Sequence, residues 1–125
     1  MPYTVNWEPD GVYCKFSGAV TAAEVQSLVD EVVKDARFDS ARYRITDCLE
    51  VSHPDLSADD LDQVLALDDA YSFANARPYE AALATDDTVL ALLRQWASTN
   101  PNHQQLCIFS TEKDLRKWLL NPEML

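Results

Sequence analysis

Glycine is scarce: 125 residues hold only two, Gly11 and Gly18. A P-loop needs a glycine-rich turn so that backbone N–H groups can wrap phosphates, and a dinucleotide fingerprint needs three spaced glycines after a strand. Neither can be assembled here, and the G-x-S-x-G elbow of the α/β-hydrolases is missing as well. Basic residues are also few, 10 against 21 acidic ones, for a formal net charge of −11. Such a chain repels phosphate backbones and anionic lipid surfaces, which argues against nucleic acid as a partner. The three cysteines, Cys14, Cys48 and Cys107, are odd in number and stand in unrelated contexts, so they do not read as a disulfide framework and fit a reducing, cytoplasmic setting. The opening MPYTVNWEPD has neither a basic start nor an apolar run, and no later stretch approaches the roughly 20 apolar residues of a membrane span. A protein neither exported nor anchored is expected.

What is present suits one globular domain spanning residues 1–125. Hydrophobic residues make up 47% and charged residues 25% of the chain, ordinary values for a packed core. Tyr3 to Trp7 alternates large apolar and polar residues at the period of a half-buried strand, and a second strand is expected from Val12 to Ser17. Between them EPDG supplies turn chemistry, with Gly11 expected at positive φ. After Gly18, TAAE is a capping box, and Val25, Leu28, Val29, Val32 and Val33 follow at helical spacing as one apolar stripe. Strands are predicted near 43–47, 79–85 and 106–109. They alternate with helices starting near Ser57, at Asp86 or Asp87, and at a cap supplied by Ser110 or Thr111. The order implies an α/β domain with a mixed, mostly parallel sheet of about five strands and about four helices, the parallel strands joined by right-handed crossovers.

Three stretches carry a family likeness: GVYCKFSGAVTAAEV, RYRITDCLEV and CIFSTEKDLRKWL. Together, and over almost the whole chain, they resemble the SpoIIAA-like branch of the STAS domains, whose best-known members are bacterial anti-sigma-factor antagonists and which is grouped with the Sec14-like lipid-binding fold. The resemblance implies a small regulatory or binding domain without enzymatic activity or cofactor. In the antagonists the strand matching RITD ends in an aspartate, followed two positions later by a serine that a partner kinase phosphorylates. Asp47 matches the aspartate, but Leu49 stands in the serine's place, with Cys48 between. Ser52 lies too far along an extended chain to replace it.

Ligands of open α/β sheets bind at the C-terminal ends of parallel strands, an edge expected to hold Asp47, Cys48, Thr85, Asp86, Ser110 and Thr111. Asp86, Ser110 and Thr111 have the competing role of helix caps. Cys48 with His53 and Asp47 or Asp55 could form a thiol, base and orienter, but a thiolate needs positive surroundings. From Ile45 to Ala76 there is no Lys or Arg, while Asp47, Glu50, Asp55, Asp59, Asp60, Asp62, Asp68 and Asp69 accumulate. Cys48, His53 and the nearby acids lack a C-x-x-C or H-x-x-x-H anchor, and His103 and Cys107, although four apart, would be separated by strand geometry, so no metal site is expected. In the second helix Asp68 falls near the centre of a face begun by Leu61, Val64, Leu65 and Tyr71, with Ser72 beside it. This region is either a cavity wall made by Asp68, Tyr71 and Ser72 or a part of the helix that has left the core. Trp118 reads as a core filler, with a dimer contact or lid as its alternative.

Two functions remain in view. One is a non-enzymatic regulatory or scaffolding domain acting through protein contacts, with a partner of basic surface or a second copy of the chain. The other is a binding module for a small apolar or amphipathic molecule at the strand C-terminal edge. Asp47, Cys48, Asp68, Tyr71, Ser72 and Asp86 are the candidate binding residues.

Overall fold

The computed structural model describes residues 3–72, 78–98 and 106–122, apart from the side chains of 65 and 67–72. Five strands form one sheet: β1 (Tyr3–Trp7), β2 (Gly11–Thr21), β3 (Tyr43–Asp55), β4 (Tyr79–Leu83) and β5 (Leu106–Phe109). Their spatial order follows the chain, β1-β2-β3-β4-β5. The β1–β2 hairpin is antiparallel, and the other neighbouring pairs are parallel. The helices are α1 (Ala22–Val33), α2 (Ala58–Ser72), α3 (Asp87–Ser98) and α4 (Glu112–Leu120), with a short 3₁₀ helix at Ala36–Ser40.

Parallel strands laid down in sequence order, with crossovers of one hand, collect their helices on one face of the sheet. Val12, Cys14, Phe16, Ala82, Val89 and Leu93 accordingly share a core with Leu28 and Val32 of α1. The opposite face packs Tyr43, Ile45, Ala81 and Leu83 against Leu115, Trp118 and Leu119 of α4. Strand alternation sorts β3 between the two: Tyr43, Ile45 and Asp47 point one way, Arg44, Thr46 and Cys48 the other. Trp118 is a core residue, its ring 6.0 Å from Tyr79 and 5.5 Å from Phe109.

The capping box at α1 forms as expected: the Thr21 hydroxyl oxygen accepts from the Glu24 N–H (3.3 Å), and the hydroxyl donates to Glu24 Oε1 (3.0 Å). Thr111 takes the same role at α4, accepting from the Asp114 N–H at 3.2 Å. Asp86 caps α3, accepting from the N–H groups of Thr88 and Val89 at 3.0 and 3.1 Å.

A buried ion pair joins β3 to β4. Arg44 and Glu80 are directly opposite in the register. Nε and Nη2 of Arg44 meet the two Glu80 carboxylate oxygens at 3.0 and 2.9 Å, the bidentate geometry that a guanidinium favours. Phe38 and Trp96 rings each lie 5.6 Å from the guanidinium carbon. The 3₁₀ helix thus has a function in the core: it carries Phe38, 2% exposed, to the Arg44 side.

Two expectations need correcting. Residues 48–55, beyond the strand expected near 43–47, continue β3, because β2 also runs on past Ser17 and pairs with them from Ser17↔Glu50 to Thr21↔Asp55. The pairing absorbs register shifts between Lys15 and Ser17 and between Gly18 and Ala19. Gly18, at φ 68°, supplies the left-handed residue that such an irregularity needs. Gly11 is not at positive φ; it is constrained by space instead. A Cβ there would lie 2.6 Å from both the Tyr43 ring and the Tyr43 carbonyl oxygen.

These two glycines should fail differently. Gly11→Ala forces backbone apart and should lower unfolding free energy by about 3 kcal/mol. Gly18→Ala has open space and should cost only about 1 kcal/mol of left-handed strain. Urea unfolding monitored by tryptophan fluorescence checks the order, which the close Tyr43 approach requires.

Candidate functional site

Asp47 pairs in register with Leu83, the last residue of β4, so it lies where the sheet narrows from five strands to the β2–β3 ribbon. Its side chain faces the α4 side and is 5% exposed. One carboxylate oxygen accepts from the Tyr13 hydroxyl and the other from the Leu49 N–H at 3.0 Å. Both oxygens are therefore engaged. Burial, and then the Asp47 carboxylate, push the Tyr13 hydroxyl pKa up, so Tyr13 remains a donor across the physiological range.

Beside this pair is a second polar cluster. Arg116 of α4 grips Glu8 through two bonds of 2.7 Å, and the Tyr43 hydroxyl donates to the same carboxylate. The Arg116 guanidinium lies 5.5 Å from the Tyr13 ring and its Nε reaches Glu112 at 3.2 Å. Hydrogen bonding from Arg116 holds the Glu8 carboxyl below its usual range. The cluster fastens α4 to the β1–β2 turn. Tyr13, Glu8 and Arg116 escape a sequence reading because their partners are 34 and 108 residues away.

Cys48 lies on the other face, 9% exposed. It lines a cavity of about 70 Å³ with Thr46, Val51, Leu61, Val89 and Trp96, under the start of α2. Burial, followed by the neighbouring Asp47 charge, pushes its thiol up to about 12. His53 is exposed further along β3, and no hydrogen bond joins it to Cys48. Among the described residues, no group of three His, Cys, Asp or Glu side chains is placed to hold a metal ion.

The side chains of Asp68, Tyr71 and Ser72, expected as a cavity wall, lie outside the described residues. So does His103. Asp86 is exposed, with one carboxylate oxygen occupied by the α3 cap. Thr85 and Ser110, expected at the strand C-terminal edge, are there and line a second cavity, of about 450 Å³, together with Arg94 of α3. Sequence reading passed over Arg94, although it is the only Lys or Arg between Arg77 and Lys113. Among the described residues, no helix is long and apolar enough to cross a membrane.

No family model and no curated protein matches the chain. Solved structures do. The anti-sigma factor antagonist SpoIIAA in its unphosphorylated form is similar with a TM-score of 0.62 at 10% identity, over 95% of this chain and 98% of that one. An uncharacterised DUF3478-family protein with a SpoIIAA-like fold, from Shewanella loihica PV-4, is similar with a TM-score of 0.58 at 16% identity, over 94% of this chain and 91% of that one. The chain has the SpoIIAA-like fold.

The thiol environments generate a test. Burial pushes Cys14 and Cys48 up to about 12 from an ordinary 9.0. Their neutral forms are favoured by the fold, a contribution fully present below pH 9 and lost as pH rises toward 12. At pH 8 iodoacetamide should modify half-buried Cys107 first, with Cys14 and Cys48 reacting only once denaturant is added. Labelling of Cys48 at the rate of an exposed thiol, read by peptide mass spectrometry, would contradict this burial and revive a nucleophilic role.

Proposed function

We propose that this chain is a non-enzymatic regulatory domain that acts through protein contacts, and that its contact surface is the ribbon end of β3 with the start of α2. The observation that carries this is the open edge of β3. Beyond Asp47, β3 has no strand partner on the β4 side among the described residues, while Leu49 is 39% exposed and Glu50, Ser52, His53 and Asp55 are also exposed. An unpaired strand edge is a template for an extended segment of another chain. Asp55 and Asp59 flank it, and Lys15 of the adjoining β2 is already ion-paired with Glu50. A basic, extended partner segment fits that surface.

The likeness to a solved anti-sigma factor antagonist supports a regulatory reading at the level of fold. Control by phosphorylation at the antagonist serine has no counterpart, because Leu49 offers no hydroxyl. Regulation here then depends on partner availability rather than on covalent modification at that position. The raised thiol pKa of Cys48 argues against that residue as a nucleophile.

The charge-reversal test avoids residues with structural duties. Asp60 accepts from the Ser57 N–H at 2.9 Å and Asp62 accepts from Gln95 at 2.9 Å, so both stay. The double variant Asp55→Lys, Asp59→Lys should keep its thermal midpoint and lose affinity for a captured partner by at least about tenfold, as should a rise from low to high salt. Capture that is indifferent to both changes would place the contact elsewhere.

A second reading, small-ligand binding, is favoured by the cavity beside Cys48, which presents no polar surface. At about 70 Å³ it is half the size of the roughly 150 Å³ apolar cavities that admit benzene. Its guest is a small hydrocarbon group rather than a lipid chain. Xenon should perturb the methyl resonances of Val51, Leu61 and Val89 in a saturable way, and filling the space with Cys48→Leu should abolish the effect. Methyl spectra unmoved by xenon would remove this reading.

A further inference from the structure

The five described arginines, Arg37, Arg42, Arg44, Arg94 and Arg116, differ in one respect. Arg37 is paired with Asp35, Arg44 with Glu80, Arg116 with Glu8, and Arg42 donates to the Leu119 carbonyl at the end of α4. Among the described residues, Arg94 makes no hydrogen bond or ion pair. In a chain with 21 acidic residues, a guanidinium left without a carboxylate is unusual, because fields from many carboxylates favour pairing.

Arg94 lines the cavity of about 450 Å³ at the C-terminal ends of β4 and β5. Thr85 and Ser110, each with a hydroxyl, line it too, and among the described residues neither hydroxyl holds a hydrogen bond. Their neighbours in sequence behave differently, since Asp86 and Thr111 are both used as helix caps. The floor is closed where the Ala84 N–H donates to the Phe109 carbonyl at 3.1 Å. Leu90, Ile108 and Phe109 supply apolar walls. Three unengaged donors and a hydrocarbon lining thus share one concavity, at the sheet edge where open α/β folds bind ligands.

We propose that this cavity is a binding site for a small organic carboxylate, with its anion on Arg94 and the hydroxyls of Thr85 and Ser110 and its apolar body against Leu90, Ile108 and Phe109. Arginine forms bidentate, charge-assisted bonds with a carboxylate, and the hydroxyls add donors to the same group. A single negative charge suits the place better than two. Asp86 and Asp87 begin α3 and Glu112 begins α4, so carboxylates flank the entrance and oppose a dianion. The site is distinct from the β3 edge and does not depend on the partner reading.

The test is a titration of the intact chain followed by backbone amide NMR. Benzoate and hexanoate should bind saturably and shift Thr85, Ile108 and Ser110. Benzyl alcohol lacks the charge and acetate lacks the body, and each should bind at least about tenfold more weakly. Phenyl phosphate, tested at a pH where it is a dianion, should also be weaker than benzoate. Arg94→Gln should keep the wild-type thermal midpoint, since Arg94 holds nothing in the fold, and should weaken benzoate by about tenfold while leaving benzyl alcohol unchanged. Thr85→Val should weaken benzoate to a smaller degree. Benzoate binding no tighter than benzyl alcohol, or undiminished in Arg94→Gln, would overturn the site, and tighter binding of phenyl phosphate would overturn the carboxylate assignment.

Discussion

The Arg44–Glu80 pair is the constraint around which the rest of the helical face is arranged. An arginine and a glutamate both about 95% or more buried are tolerable only if each compensates the other, because removing one partner of a buried pair typically costs about 3–5 kcal/mol. The pair therefore fixes the β3–β4 register, since a slip of one residue would turn Arg44 toward the α4 side and leave Glu80 alone. It also explains why the aromatic rings on this face are where they are. Phe38 arrives on a 3₁₀ helix and Trp96 on α3, each 5.6 Å from the guanidinium carbon, so two separate connections are tied to one charge. Cys14 and Thr46 fill the neighbouring positions of β2 and β3 without adding bulk.

On the opposite face a single helix does the covering, and it is held by polar contacts as well as by Leu115, Trp118 and Leu119. Arg116 bonds to Glu8 at the β1–β2 turn, and Arg42 donates to the Leu119 carbonyl at 2.8 Å. One end of α4 is thus tethered to the hairpin and the other to the start of β3. This arrangement positions Ser110 and Thr111 at the strand ends, and with them the mouth of the Arg94 cavity. The cavity at the ends of β4 and β5 and the open edge of β3 come from one circumstance: β4 and β5 are short, while β2 and β3 are long. Where the short strands stop, a cavity opens; where the long ones continue, a strand edge is exposed.

Much of this was legible in local sequence. The capping box TAAE, the stripe from Val25 to Val33, the alternation of β1 and the Thr111 cap are all patterns within a few residues, and each formed near the expected place. What the sequence hid has physical reasons. The extension of β3 through Ser52, His53 and Pro54 looks like a loop because those residues have poor strand propensity. Among the described residues only β2 pairs with them, and a strand edge is where proline is tolerated in a sheet. The meaning of Gly11 was misread because crowding by Tyr43, 32 positions away in sequence, leaves no local trace. At the candidate site Asp47, expected to end its strand, lies within β3, level with the end of β4, and its bond to Tyr13, 34 positions away, leaves no local trace. Arg94 has no motif at all, only the anomaly of a cation left unpaired in an acidic chain.

The strand order has a kinetic corollary. Because every strand lies beside its predecessor, each new pairing closes only one connecting segment, so the loop-closure entropy of assembly is met in small instalments rather than through one long-range step. Sheets in which an early strand must wait for a late one at its side are slow and exposed during synthesis. Here the hairpin of β1 and β2 can serve as a template as soon as it emerges, and the chain can add β3, β4 and β5 in the order in which a ribosome delivers them.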